Sequence, residues 1–158
     1  MMQETHKKIV FKYYSTYLEE IITETMWAEI MDLEKGYFKL DNIPFFGPLI
    51  ATDDIFRAEY DEKEKFFIHK ETIENSGNSI VQVLILEEGF DAEIIREKLK
   101  SINCISEALN DTFFAVEIIK NVDYSIVKNL LNEYESLSVI EFAEPCLSDK
   151  HRTDLLKN

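Results

Sequence analysis

The chain has little of what most catalytic and ligand-binding motifs are made from. Four glycines in 158 residues leave almost no material for a phosphate cradle, and neither a GxGxxG nor a P-loop pattern occurs, so nucleotide chemistry is not expected. The only cysteines, Cys104 and Cys146, lack CxxC spacing and a neighbouring histidine. Neither a zinc site nor a disulfide framework is indicated, and both read as reduced thiols in a cytoplasm. No apolar run approaches the roughly 20 residues that cross a bilayer; residues 80–86, among the longest, are interrupted by Gln82. The opening MMQETHKKIV runs into strand-like alternation without a continuous apolar stretch, so export by a signal peptide is not expected.

Positive charge is scarce as well. Seventeen Lys and Arg stand against 31 Asp and Glu, a net charge of −14, and the excess is even, with −7 in residues 1–77 and −7 in residues 78–158. Such a surface repels nucleic-acid phosphates and anionic membranes, because both are bound largely through Lys and Arg. A basic protein is the better-matched partner, although net negative charge also serves solubility alone. There is no basic–aromatic stripe of the kind a nucleic-acid-binding sheet carries.

What is present is a core and two kinds of periodicity. With 46% hydrophobic residues, the chain can build one domain or two small units sharing a core. Residues 8–76 mostly alternate, which predicts a small, barrel-like β-subdomain with strands over 8–14, 25–32, 36–40, 55–60 and 65–75. Leu33-Glu34-Lys35-Gly36 and Asp61-Glu62-Lys63-Glu64 read as turns. Residues 41–53, with Pro44, Pro48, Gly47 and the pair Phe45-Phe46, read as a loop with side chains to bury.

Beyond Ser76-Gly77-Asn78 the order becomes strand, helix, strand, strand, helix, strand over residues 79–146. Asp91 and Asp123 are expected N-caps, with the pairs Phe90/Ile95 and Val122/Val127 placed as hydrophobic staples. Asn110-Asp111 suits a tight hairpin. The expected architecture is α+β: a β-subdomain packed on a ferredoxin-like βαββαβ sandwich, with residues 147–158 as a polar tail. The strands beside Cys104 and Cys146 then lie at opposite sheet edges, too far apart for a disulfide. The sheet face away from the helices needs cover, from the β-subdomain or from a second copy in a homodimer.

Three local patterns carry a resemblance: Glu24-Thr25-Met26-Trp27-Ala28-Glu29, Leu40-Asp41-Asn42-Ile43-Pro44-Phe45-Phe46, and Ser76-Gly77-Asn78-Ser79 leading into a strand. With Asp53-Asp54-Ile55-Phe56-Arg57-Ala58 they resemble the bacterial family known as domain of unknown function number 4265. The resemblance implies a common architecture and no activity. That family tends to have His where this chain has Asn78, and Arg where it has Gln82.

Candidate binding residues follow from residue type. Trp27, Asp41, Asn42, Phe45 and Phe46 could line a pocket, but the stronger reading is structural: Phe45 and Phe46 plug the end of the β-subdomain, Asn42 ties its own turn and Trp27 sits at the subdomain junction. His69 is the one histidine inside an expected element, where a lone His is more often a surface or junction residue; His6 and His151 fall in expected tails. Glu24 and Glu29, an odd number apart on one strand, face opposite ways and cannot act together. Asp61, Glu62 and Glu64, with the run Glu87-Glu88-Gly89-Phe90-Asp91, are solvated loops or the rims of a surface for a cationic protein. No catalytic residue, metal ligand or cofactor is assigned. The functional expectation is a non-catalytic, cytoplasmic protein-binding module, an immunity protein neutralising a basic toxin being the sharpest form of it. The alternative is a small-molecule sensor or enzyme with a pocket at the subdomain junction.

Overall fold

Alternating apolar residues put one face of each early strand inward, and five such strands close on themselves. A computed structural model describes residues 4–15, 18–47 and 49–157; Pro48, expected in the irregular loop, lies outside the described residues. The strands β1 (His6–Ser15), β2 (Glu20–Asp32), β3 (Tyr37–Leu40), β4 (Ile55–Asp61) and β5 (Phe66–Glu74) form a closed ring in which β5 returns to pair in parallel with β1. Closure gives each strand a neighbour on both sides. Ile9 and Phe11 of β1, Met26 and Ala28 of β2, Phe38 and Leu40 of β3 and Phe56 and Ala58 of β4 fill the ring. The β2–β3 turn requires Gly36, whose φ of +74° lies in the left-handed region.

The second sheet holds β6 (Ser79–Ile85), β7 (Ile105–Asn110), β8 (Phe113–Ile118) and β9 (Ile140–Cys146) in the order β7-β8-β6-β9, every pairing antiparallel. Alternation assigns Val81, Val83, Phe114, Val116 and Ile118 to one face, where they pack against Ile95 and Leu99 of α1 (Ala92–Ser101) and Tyr124, Val127 and Leu131 of α2 (Tyr124–Ser136). Asp91 and Asp123 cap these helices through the amides of Glu93 and Ser125, each at 3.0 Å. Phe90 and Val122 join the same apolar cluster. The fold is therefore mixed α+β and mostly strand.

The other face of this sheet meets the ring through the loop that follows β3. Ile43 and Ala51 of that loop are buried against Ile80 of β6 and Ala115 of β8, with Phe45 and Cys146 packed around them. Cover is incomplete: Ile105 and Leu109 of β7 and Leu84 of β6 remain exposed. The expected polar tail is instead helix α3 (Asp149–Leu156), capped by Ser148. A sparse apolar pattern hid it, because α3 docks through the buried polar residues His151 and Asp154.

Candidate functional site

Glu24, on the inward-facing register of β2, reaches out of the ring and grips the loop after β3. Its carboxylate accepts the amides of Phe45 (2.7 Å), Phe46 (3.3 Å) and Gly47 (3.1 Å). Asn42 Oδ1 accepts the Trp27 amide at 3.1 Å, and the Asp41 amide donates to the Trp27 carbonyl at 3.0 Å. From the second sheet, Gln82 donates to the Phe45 carbonyl at 2.7 Å. The ring of Phe46 stacks on Phe113 at 5.9 Å, while Phe45 is half-buried at the junction. The structure thus brings Trp27, Asp41, Asn42, Phe45 and Phe46 together along one strap, with most of their polar groups spent on holding it. The two aromatics seal the sheet junction instead of plugging the ring.

His69 does not join them. Trp27 lies on the outer face of β2, where the Lys8 ammonium sits 5.2 Å from its ring, while the neighbouring Met26 and Ala28 point inward. His69 lies inside, stacked on Phe11 at 4.8 Å and near Phe56 at 5.3 Å. Burial lowers its imidazole pKa. His69 is thus neither a surface nor a junction residue, and the wall of the ring separates it from Trp27, Asp41 and Asn42, so the four candidates share no pocket. His6 is likewise no tail residue: it opens β1 and its Nε2 meets Asp41 Oδ2 at 2.9 Å.

The acids of the β4–β5 turn are partly committed. Asp61 accepts the amides of Glu64 and Lys63, which lower its pKa, and Glu64 pairs with Lys12 at 2.6 Å. Glu62 is free in solvent. A more open acidic surface lies at the end of the second sheet. Glu87, Glu88, Asp91, Glu93 and Asp111 line a groove of about 740 Å³ between the β6–α1 loop and the β7–β8 hairpin, with no basic side chain among the described residues that line it.

At the opposite end of β6 the ring meets the second sheet around a different opening. A cleft of about 530 Å³ is bordered by Asp54, Gly77, Asn78, Lys120, Cys146, Lys150 and Arg152. Asn78 ties its two walls, donating to the Thr52 carbonyl at 3.1 Å and accepting the Lys120 amide at 2.8 Å. Asp54 is fully buried, with its carboxylate bonded to the amides of Ser76 (2.8 Å) and Ala51 (2.9 Å). Burial raises its pKa against those hydrogen bonds. Glu117, half-buried beside Asp53 and Asp41, is raised by burial too.

Behind the cleft lies a polar network with no signature in the sequence spacing. His151 is 0% exposed. Its Nε2 faces the Ile119 carbonyl at 3.1 Å, and since a carbonyl only accepts, this nitrogen carries the proton. Nδ1 is then bare and accepts the Ser79 hydroxyl at 2.6 Å, while Ser79 Oγ accepts the Ser148 amide at 2.9 Å. Asp154 accepts the Tyr124 amide at 3.0 Å and Lys150 at 2.8 Å; burial opposes its ionisation, but those two donors outweigh it and hold the carboxyl low. The Tyr124 hydroxyl donates to Glu144. The Ser79–His151 pair resembles a nucleophile and base only in its atoms, because both residues are wholly buried and no substrate reaches them. Among the described residues no cluster of His, Cys, Asp and Glu fits a metal ion.

Cys104 is buried, and Cys146 is half-buried at the edge of the cleft. Burial pushes the Cys104 thiol up to about 12 and the Cys146 thiol up to about 11. At pH 8 their thiolate fractions fall to roughly one in a thousand or less. We expect an aromatic disulfide reagent to leave Cys104 unlabelled in buffer, to label Cys146 slowly because its thiolate is scarce, and to label both quickly on adding denaturant. Rapid labelling of Cys104 in the native protein would contradict its burial.

Residues 24–142 match the model of the family described as Domain of unknown function (DUF4265). The structure is similar to that of a hypothetical protein from Neisseria gonorrhoeae, with a TM-score of 0.79 and 23% identity over 93% of this chain and 99% of the other. At that identity the likeness concerns the fold. No curated protein matches the chain.

Proposed function

Because this chain belongs to the family described as Domain of unknown function (DUF4265), whose description names no activity, we propose from the geometry that it is a non-catalytic module binding a basic protein partner. The observation that carries the reading is the groove lined by Glu87, Glu88, Asp91, Glu93 and Asp111, in which Glu93 pairs with Arg96 of α1 while Glu87, Glu88 and Asp111 have no cation against them among the described residues. Carboxylates of one sign around a concavity raise the local potential and steer a cationic surface into it, so complementarity acts first on the association rate. An immunity protein that neutralises a basic toxin in the cytoplasm is the most specific form of this proposal. The same charge disfavours nucleic acid and anionic membranes as partners.

The proposal takes residues 8–76 and 79–146 as two units, which the separate apolar clusters of the ring and the second sheet support. It takes the second unit as ferredoxin-like, supported by the strand order and by the packing of α1 and α2 on one face. A homodimer is the competing reading, favoured by Ile105 at 61% exposure and Leu109 at 47% on the uncovered part of the second sheet. Size-exclusion chromatography with light scattering separates the two readings.

The test is capture from native lysate by the tagged chain at low and high salt, run beside the Glu87→Lys/Glu88→Lys variant. A stoichiometric basic protein should be retained by the wild type. The variant should bind it with an association rate lower by roughly tenfold or more at low salt, the difference shrinking as salt screens the charges. Equal capture by both chains, or association indifferent to salt, would remove the groove from the interface.

A further inference from the structure

We infer that the cleft between the ring and the second sheet is a binding site for a small molecule bearing an oxyanion group, held by Lys120, Lys150 and Arg152. This does not depend on the acidic groove, which sits at the other end of β6. The three cations line one opening of about 530 Å³ in a chain of net charge −14. Their donors are largely unspent. Lys120 Nζ has no partner among the described residues, and its stem lies against Gly77, where an added Cβ would sit 2.9 Å from Lys120 Cδ. Arg152 uses Nε on the Leu147 carbonyl at 3.2 Å, which leaves both terminal amino groups for a fork-shaped contact with an oxyanion. Lys150 gives two hydrogens to the Val122 carbonyl (2.9 Å) and Asp154 (2.8 Å), and an ammonium has a third.

The carboxylates of the lining do not cancel this. Asp54 is buried with its oxygens turned to the Ser76 and Ala51 amides. Glu144 is engaged by the Tyr124 hydroxyl and by Lys128 at 3.3 Å. Asp154 offsets Lys150 from behind the cleft, and Asp149 is the one acid of the lining exposed to solvent. Lys120 and Arg152 therefore face the opening with only Asp149 against them. Recognition would come from side-chain cations, which suits a chain too poor in glycine for a backbone cradle.

The experiment titrates inorganic phosphate, and separately citrate, into the ¹⁵N-labelled chain at constant ionic strength, with chloride as the control. Saturable shifts confined to Gly77, Asn78, Lys120 and the start of α3, with saturation below roughly 10 mM, are expected for phosphate, for citrate, or for both. The choice distinguishes phosphate from carboxylate compounds as the natural ligand. The Lys120→Ala/Arg152→Ala variant, changed only at exposed side chains, should keep its spectrum elsewhere and bind at least about tenfold more weakly. The Glu87→Lys/Glu88→Lys variant should bind as the wild type does, so failure of the protein-binding reading leaves this one standing. Linear, non-saturating shifts with both anions, or affinity unchanged in the double variant, would overturn it.

Discussion

Replacing His151 with alanine should lower the free energy of unfolding by about 3–5 kcal/mol, a large part of what a domain of this size possesses. Two losses combine. The first is a cavity where a wholly buried ring packs beside Tyr124 at 5.7 Å. The second is a set of orphaned partners, because the Ser79 hydroxyl and the Ile119 carbonyl lose the ring nitrogens that satisfy them. Helix α3 has few apolar residues to hold it otherwise, so its amides should exchange fastest in the variant. Urea unfolding measures the first effect and hydrogen exchange the second. His151→Gln, able to keep part of the hydrogen bonding, should fall between. A His151→Ala protein as stable as the wild type would mean that α3 is not docked as described.

The same ring sets a pH dependence. Burial lowers the pKa of His151, with Lys150 adding to the effect and Asp154 and the Ile119 carbonyl opposing it. Burial also lowers the pKa of His69. A histidine whose folded pKa lies below its unfolded value of about 6.5 is protonated more readily in the unfolded chain. Stability from both rings is therefore complete above pH 6.5 and declines as the pH falls from there towards their folded pKa values. Asp54 and Glu117, raised by burial, act in the opposite sense: each adds stability as the pH falls through its folded pKa towards the ordinary carboxylate range. The urea midpoint should drop between pH 7.5 and 5.5, and the drop should shrink in His151→Gln. A decline of the same size in that variant would assign the effect to other groups.

Substituting Gly36 by alanine is the second large effect, about 2–4 kcal/mol by the sum of a left-handed backbone and a steric overlap. At φ +74° an L-residue is strained, and the added Cβ would lie 2.4 Å from the Ala58 carbonyl oxygen. That oxygen belongs to the backbone of β4 and cannot swing aside as a side chain does. The Gly36 carbonyl also accepts the Ala58 amide at 2.8 Å, so relief of the overlap costs this bond as well. Thermal and urea denaturation of Gly36→Ala should show the loss. Gly89→Ala, equally left-handed but open on all sides, should show only the smaller backbone part. Equal effects at the two glycines would exclude the overlap at Gly36.

Periodicity was a sound guide wherever one element faces one environment. Alternation at Ile9, Phe11, Met26 and Phe38 predicted strands with a filled side, and the caps Asp91 and Asp123 stand where the helices begin. β2 starts earlier than expected, at Glu20, because an exposed segment such as Glu20-Ile21-Ile22-Thr23 is held by its neighbour β1 and not by burial. Among the candidate residues, Trp27, Asp41 and Asn42 stand together because the β2–β3 hairpin sets Ala28 opposite Leu40. Glu24 could not be recognised as the clamp of a loop more than twenty residues away, and its charge was one among 31 acids.

Composition and local order were enough for an α+β chain rich in strands, for the absence of nucleotide and zinc motifs, and for strong negative charge, because each depends on residue type or on neighbours within a few positions. Ring closure, the packing of His69 inside it, the docking of α3 through Ser79 and His151, and the gathering of Lys120, Lys150 and Arg152 around one cleft depend on contacts between distant segments. A buried polar residue has the hydropathy of a surface one. Only its partners, brought from 72 residues away in the case of Ser79 and His151, distinguish the two.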